Sequence, residues 1–231
     1  MLEALKRLLS RQPGRSIWYE VEAWARAQGY EFRPAREASG FVVEGTLHAR
    51  QWRLEWGPSQ RDYIIGPELR VRIELDLPNG LQMLVLARPL MLQLERDAYQ
   101  KFTDGAKTRI DTTSPEEMRW LAMLPHYAFD DRSALGGRVG AVGHPMPALE
   151  RWLHGPLSRH IEQAGETLLA YPTPFVLIVS RGKLSLRIAL PALSVPALQQ
   201  ALALFTLAAE QAVQAAEGRS GSGWPTTTQS A

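Results

Sequence analysis

The residues able to do chemistry gather in one stretch: His126, Tyr127, Asp130, Asp131, Arg132, Arg138 and His144 all lie between Leu124 and Met146. Neutral imidazole and carboxylate are competent ligands for a divalent cation and titrate near working pH, which makes His126, Asp130, Asp131 and His144 the candidate catalytic residues. Arg132 and Arg138 are the candidates for holding an anionic ligand. Their spacing matches no metal motif, since HExxH, the EF-hand pattern and paired histidines one helical turn apart are all absent. No metal and no cofactor is therefore expected. The simpler reading is a solvated turn in which Asp130 caps local backbone.

Other chemical candidates are weaker. Gly137, Gly140 and Gly143 in GRVGAVG look like a phosphate cradle, but no strong strand precedes them and no Gly-Lys-Ser/Thr ending follows. A mobile connection is the expectation. His154 and His160, six apart on one expected helix, would point about 120° apart, too far for one metal. Ser220 and Ser222 lack the strand and helix around a nucleophile elbow. The chain has no cysteine, which excludes disulfides, thiolate nucleophiles and cysteine-ligated zinc or iron–sulfur centres. Trp52 and Trp56 beside Arg53 could stack bases, yet both share a strand face with Leu54, so core packing is expected instead.

The elements that must position these residues read as α+β. In Glu68–Leu77 the apolar Leu69, Val71, Ile73, Leu75 and Leu77 alternate with Arg70, Arg72, Glu74 and Asp76, the period of a half-buried strand. The charged face reads as solvated, not as a site. Pro78, Asn79 and Gly80 supply turn chemistry, so a hairpin to Leu81–Ala87 is expected. A second hairpin is read from Phe41–Leu47 and Gln51–Trp56, the two together making a four-stranded meander. A third pairs Phe175–Ser180 with Leu184–Leu190 across Arg181, Gly182 and Lys183. Helices are expected over Ser16 to about Gln28, after Arg88 to Phe102, from a capping box at Ser114 to Met123, over Pro147–Gln163, and over Val195–Glu217 with Ser194 as its cap. Leu168–Tyr171 reads as a short strand.

Helix, antiparallel strands and helix thus recur, and a duplicated plan is one reading. The organisation expected is an amphipathic helix within 1–15, a first half over 16–123, an irregular glycine-rich link over 124–146, a second half over 147–217, and a disordered tail over 218–231. With 45% apolar and 22% charged residues, the composition is that of a globular protein.

Lys and Arg total 26 against 24 Asp and Glu, with no basic cluster, so no nucleic-acid partner is expected. No run of about 18 uncharged apolar residues exists to span a bilayer, and the start MLEALKRLLSR is unlike a signal peptide. A cytoplasmic protein is expected. Without a catalytic set, the leading expectation is a protein-interaction, scaffolding or regulatory module, binding a protein partner or a second copy through its terminal helices. Two alternatives stand beside it: a ligand- or metal-binding enzyme using Asp130, Asp131 and His144, and peripheral membrane attachment through Met1–Arg11.

Overall fold

The computed structural model describes residues 13–35, 40–104, 115–130 and 133–218. Its elements run α1 (Pro13–Ala27), β1 (Glu31–Pro34), β2 (Phe41–Leu47), β3 (Arg50–Pro58), β4 (Pro67–Glu74), β5 (Gln82–Ala87), α2 (Arg88–Asp104), α3 (Glu116–Met123), β6 (Val139–His144), α4 (Met146–Leu153), α5 (Pro156–Ala164), β7 (Phe175–Ser180), β8 (Lys183–Ala189) and α6 (Val195–Ala216). The α+β expectation holds. All eight strands join one antiparallel sheet in the order β1-β2-β3-β4-β8-β7-β5-β6.

The register explains which parts of the sheet are covered. On one face Val43, Leu54, Val71, Leu186, Leu177 and Val85 follow one another across six strands, all essentially buried. Helix α6 lies against this face, touching β4 and β8, and α1, α4 and α5 pack around it. Trp152 Nε1 of α4 donates to the Ala208 carbonyl of α6 at 2.9 Å, which satisfies the one polar atom of a fully buried ring.

The other face changes character along its rows. Glu44, Arg53, Arg72 and Ser185 are register partners on β2, β3, β4 and β8, and the same row continues as Ile178, Leu84 and Val142 on β7, β5 and β6. Helices α2 and α3 pack on the β5–β6 side, over that apolar half. The four strands that alternate apolar and polar residues therefore present a helix-free charged face, whereas FVLIVS and QMLVLA are apolar on both faces because both are covered.

Several local expectations are corrected. Leu69–Ala87 is not a hairpin: β4 pairs with β3 and β8, β5 pairs with β6 and β7, and the β7–β8 hairpin fills the space between them. The chain leaves β4 through Asp76, at φ 52, with Leu75 N–H bonded to the Gly182 carbonyl at 2.8 Å. Local turn chemistry at Asn79 and Gly80 was outweighed by the burial gained when two more strands pair. The meander is instead β1 to β4, with the short β1 at its edge.

Helix α1 starts at Pro13 rather than Ser16, proline being suited to a first helical turn. The expected helix over Pro147–Gln163 is two helices, broken where Gly155 takes φ +83 ahead of Pro156. Leu168–Tyr171 is a series of turns. Helix α3 begins at Glu116 with Pro115 as its N-cap residue and no side-chain cap, and Ser114 lies outside the described residues.

The glycine-rich link holds a strand. Gly140 and Gly143 belong to β6, where a Cβ at Gly140 would stand 1.8 Å from Met91 Sδ of α2, and one at Gly143 would stand 2.7 Å from the Gln82 carbonyl oxygen. These glycines admit close neighbours. The caps of α6 are as expected: Ser194 Oγ accepts from Ala197 N–H at 3.3 Å, and Gly218 has φ +69. Helix α6 buries both flanks, Leu204 as well as Leu198 and Phe205, within its own core. Met1–Arg11 and the tail beyond Gly218 lie outside the described residues.

Candidate functional site

The described residues singled out in the link point to different neighbours. Arg138 precedes β6 and His144 is its last residue, and six strand steps of about 3.3 Å put them about 20 Å apart. Arg138 is engaged with Glu166 at 2.8 Å. His126 turns towards α2 and α3, with Nε2 3.1 Å from the Leu121 carbonyl and Nδ1 3.8 Å from Glu95. Tyr127 packs edge-on to Phe129 at 4.8 Å between ring centroids. Asp130 is exposed, and its carbonyl accepts from Ser133 N–H at 2.8 Å. Asp131 and Arg132 lie outside the described residues. Among the described residues, no three His, Asp or Glu side chains gather to hold a metal ion.

Charge is organised instead on the helix-free half of the sheet. Starting from β1, Arg33 pairs with Glu44, Glu44 with Arg53 at 2.8 Å, Arg53 with Glu55, Glu55 with Arg70 at 3.2 Å, Arg70 with Glu68 at 3.1 Å, and Glu68 with Arg187 at 2.7 Å. Seven alternating charges thus cross five strands, from β1 to β8. Period-two alternation puts them on one face, and antiparallel register sets opposite signs within reach.

Burial deepens along the ladder. The Glu44 side chain is 27% exposed, Glu55 20% and Glu68 0%. Burial tends to raise the Glu55 carboxyl, but the hydrogen bond and charge of Arg53, together with Arg70, outweigh it and hold the group below its ordinary value of 4.5. Glu68 is fully enclosed and satisfied three ways, the third being Gln60 N–H at 2.9 Å.

The ladder ends at a polar cleft of about 600 Å³, lined chiefly by Arg61, Glu117, Arg119, Ser180, Arg181 and Arg187, where the bare half of the sheet meets the N-terminus of α3. Glu117 is 2% exposed and accepts from Tyr63 O–H through Oε1 at 2.9 Å. Arg61 Nε stands 3.5 Å from the same oxygen, an ion-pair distance without a hydrogen bond, and Glu117 Oε2 has no partner. Burial, reinforced by the Glu117 charge, pushes the Tyr63 phenol well above its ordinary value of 10.0, so it stays a donor. Ser180 Oγ donates to Glu116 Oε1 at 2.9 Å. Arg181 sits in the two-residue turn of β7–β8 at φ 51, before Gly182 at φ 77. That turn type favours Asn or Gly at its first position, so an arginine there is held at a conformational cost.

Three cations of the cleft wall are spoken for: Arg187 by Glu68, Lys183 by Glu74 at 2.6 Å, and Arg61 by Glu117. Arg119 and Arg181 have no carboxylate within ion-pair distance among the described residues, and Arg119 Nε is buried without a partner. What the arrangement can do is bind an anion.

No known protein family matches the chain. No curated protein matches it either. Among solved structures, the mycobacterial trehalose monomycolate transport factor A, TtfA, is similar at 7% sequence identity, with a TM-score of 0.49 over 85% of this chain and 94% of that one. A likeness of that order says nothing of activity.

Sequence reasoning passed over the cleft because its residues come from three separated segments, each of which reads as something ordinary. Ser59–Asp62 looks like a polar link, Glu116–Arg119 a helix start, and Arg181–Lys183 a hairpin turn. The one available signal was the alternation on β8, which puts Lys183, Ser185 and Arg187 on the same face that Arg70 and Arg72 occupy on β4. No helix among the described residues is long and apolar enough to cross a membrane.

Proposed function

We propose that the chain is a non-catalytic binding module that recognises an anionic group through the cleft at the end of the charge ladder. The observation that carries this reading is the pair of guanidiniums, Arg119 and Arg181, which line the cleft with no carboxylate within ion-pair distance among the described residues, in a protein that pairs its neighbouring charges in sequence. An interaction or regulatory role in a cytoplasmic setting, as the sequence suggests, belongs to the same proposal. Recognition then occurs on the open sheet and not on α6, whose apolar flanks its own core already covers.

Titration of the full chain with inorganic phosphate at low salt, followed by amide NMR shifts, tests the reading. Shifts are expected at Arg61, Arg119 and Ser180–Arg187, and are expected to vanish in an Arg119→Ser/Arg181→Asn variant. Shifts confined to other surfaces, or a double variant that binds as the parent does, would overturn it.

A further inference from the structure

The positive surplus of the cleft does not stop at its rim. Arg72 of β4 is exposed on the same bare face, opposite Ser185 of the cleft wall in the β4–β8 register. The carboxylates on the neighbouring rows are already held, Glu74 by Lys183 at 2.6 Å and Glu55 by Arg53 and by Arg70 at 3.2 Å. Arg72 itself has no carboxylate within ion-pair distance among the described residues. Arg72, Arg119 and Arg181 are thus three guanidiniums left over once the described ion pairs are made, and they stand at separate points. Arg181 comes four residues before Ser185, in the turn that opens β8, which puts it roughly 10–13 Å along the sheet from Arg72. Arg119 lines the cleft from the first turn of α3.

A small anion answers one point of such a line, whereas an extended chain bearing negative charges at intervals answers its length. An extended peptide advances about 3.3 Å per residue, so acidic side chains about three to four residues apart meet Arg72 and Arg181 together. Guanidinium suits that role, because its planar fork meets a carboxylate through two bonds at once. Two other polyanions fit less well. The cleft lining holds no aromatic ring on which bases would stack, and the bare row beside it reads Glu44, Arg53, Arg72 and Ser185. A flat membrane surface meets only the rim of a concave cleft, while half-buried Arg119 lines its wall.

Resting on the reading of the cleft as an anion-binding site, we propose that its occupant is an acidic peptide segment of a protein partner, laid extended from the cleft onto the bare sheet past Arg72. Arg119 and Arg181 hold acidic side chains within the cleft, and Arg72 holds one outside it. The buried Glu117 takes no part.

Fluorescence anisotropy of a labelled, glycine-flanked peptide with two Glu-Glu pairs separated by Gly-Ser-Gly, titrated with the full chain at low salt, tests this. Binding is expected, weakening as salt rises and lost when the glutamates are replaced by glutamine. Arg72→Thr, at an exposed strand position, is expected to weaken the peptide by about threefold or more and to leave inorganic phosphate unchanged, since Arg72 stands outside the cleft. Arg119→Ser/Arg181→Asn is expected to weaken peptide and phosphate alike by about tenfold or more. Arg159→Gln, exposed on α5 on the side of the sheet that α6 covers, removes the same charge and is expected to leave both unchanged. Circular dichroism confirms that each variant is folded.

A peptide that fails to bind, or that Arg72→Thr binds as the parent does, overturns the peptide inference while phosphate binding keeps the anion-binding reading. Failure of peptide and phosphate alike overturns the two together. Tighter binding of a nine-nucleotide oligouridylate, or of phosphatidylcholine vesicles containing phosphatidylserine, weakened by the same variants, overturns the peptide in favour of that polyanion.

Discussion

Replacing Glu68 with leucine removes the most enclosed charge of the ladder, and its cost can be worked from its partners. Glu68 accepts from Arg187 at 2.7 Å, from Arg70 at 3.1 Å and from Gln60 N–H at 2.9 Å, with no exposure of its own. Arg70 keeps Glu55 and the Pro58 carbonyl when Glu68 is gone. Arg187 keeps no carboxylate within reach among the described residues, and its side chain is only 17% exposed. Removing one partner of a buried pair costs about 3–5 kcal/mol, mainly through the charge left behind. Because Arg187 retains some access to the cleft, the lower end, about 3 kcal/mol, is expected for Glu68→Leu. For a chain of this size that lowers Tm by about 6–12 °C.

The companion is Glu68→Leu/Arg187→Met, which removes the stranded charge as well and is expected to lie within about 1 kcal/mol of the parent. Urea unfolding followed by tryptophan fluorescence reads both, with an unchanged m-value confirming that the native state is intact. A Glu68→Leu cost below about 1 kcal/mol, or a double variant as destabilised as the sum of its two singles, would refute the view that the ladder is held together at Glu68.

Three further outcomes are expected. Glu55, held below its ordinary range by Arg53 and Arg70, contributes stability that is present above about pH 4.5 and lost as pH falls through its lowered folded-state value; Glu55→Gln should flatten that acid limb in pH-dependent denaturation, and an unchanged slope would contradict it. Gly143→Ala, whose Cβ meets the Gln82 carbonyl at 2.7 Å, should cost about 1–3 kcal/mol by thermal denaturation, whereas Gly137→Ala, with nothing within 4 Å, should be close to neutral; equal effects would remove the packing account of β6. Ala49 holds φ 63 in the β2–β3 turn, so Ala49→Gly should stabilise the fold by about 1 kcal/mol in chemical denaturation, and a loss of stability would show that the turn is not strained.

The parts of the fold legible from sequence are those written into contiguous residues. The alternation of β4, the cap of α6 at Ser194 and the β7–β8 hairpin each rest on interactions within a few positions and are legible from them, although Lys183 belongs to β8 and pairs with Ser180 rather than lying in the turn. Strand order was not legible in that way. The Asn79–Gly80 turn signal is local, while the pairing of Val85 with Leu177 and of Val71 with Leu186 is decided by which apolar faces can be buried together. The same limit applies to the cleft. Among the described polar residues between Leu124 and Met146, neighbours in sequence turn to different places: His126 faces α2 and α3, Arg138 pairs with Glu166, and His144 ends β6. Arg61, Glu117, Arg119 and Arg181 are brought together only when α3 and the β7–β8 hairpin are docked.

The insertion of that hairpin between β4 and β5 also sets a timetable. Val71 must wait for Leu186, and Val85 for Leu177, in each case a large part of the chain later. During synthesis β4 and β5 therefore emerge as two unsealed edges with complementary apolar faces, each able to recruit the wrong strand until Phe175–Ala189 arrives. Contacts this distant in sequence slow folding, because the loop must be closed before the pairing repays it. The last strands made are the ones that complete the middle of the sheet, and the cleft, whose wall they form, exists only once the whole sheet is closed.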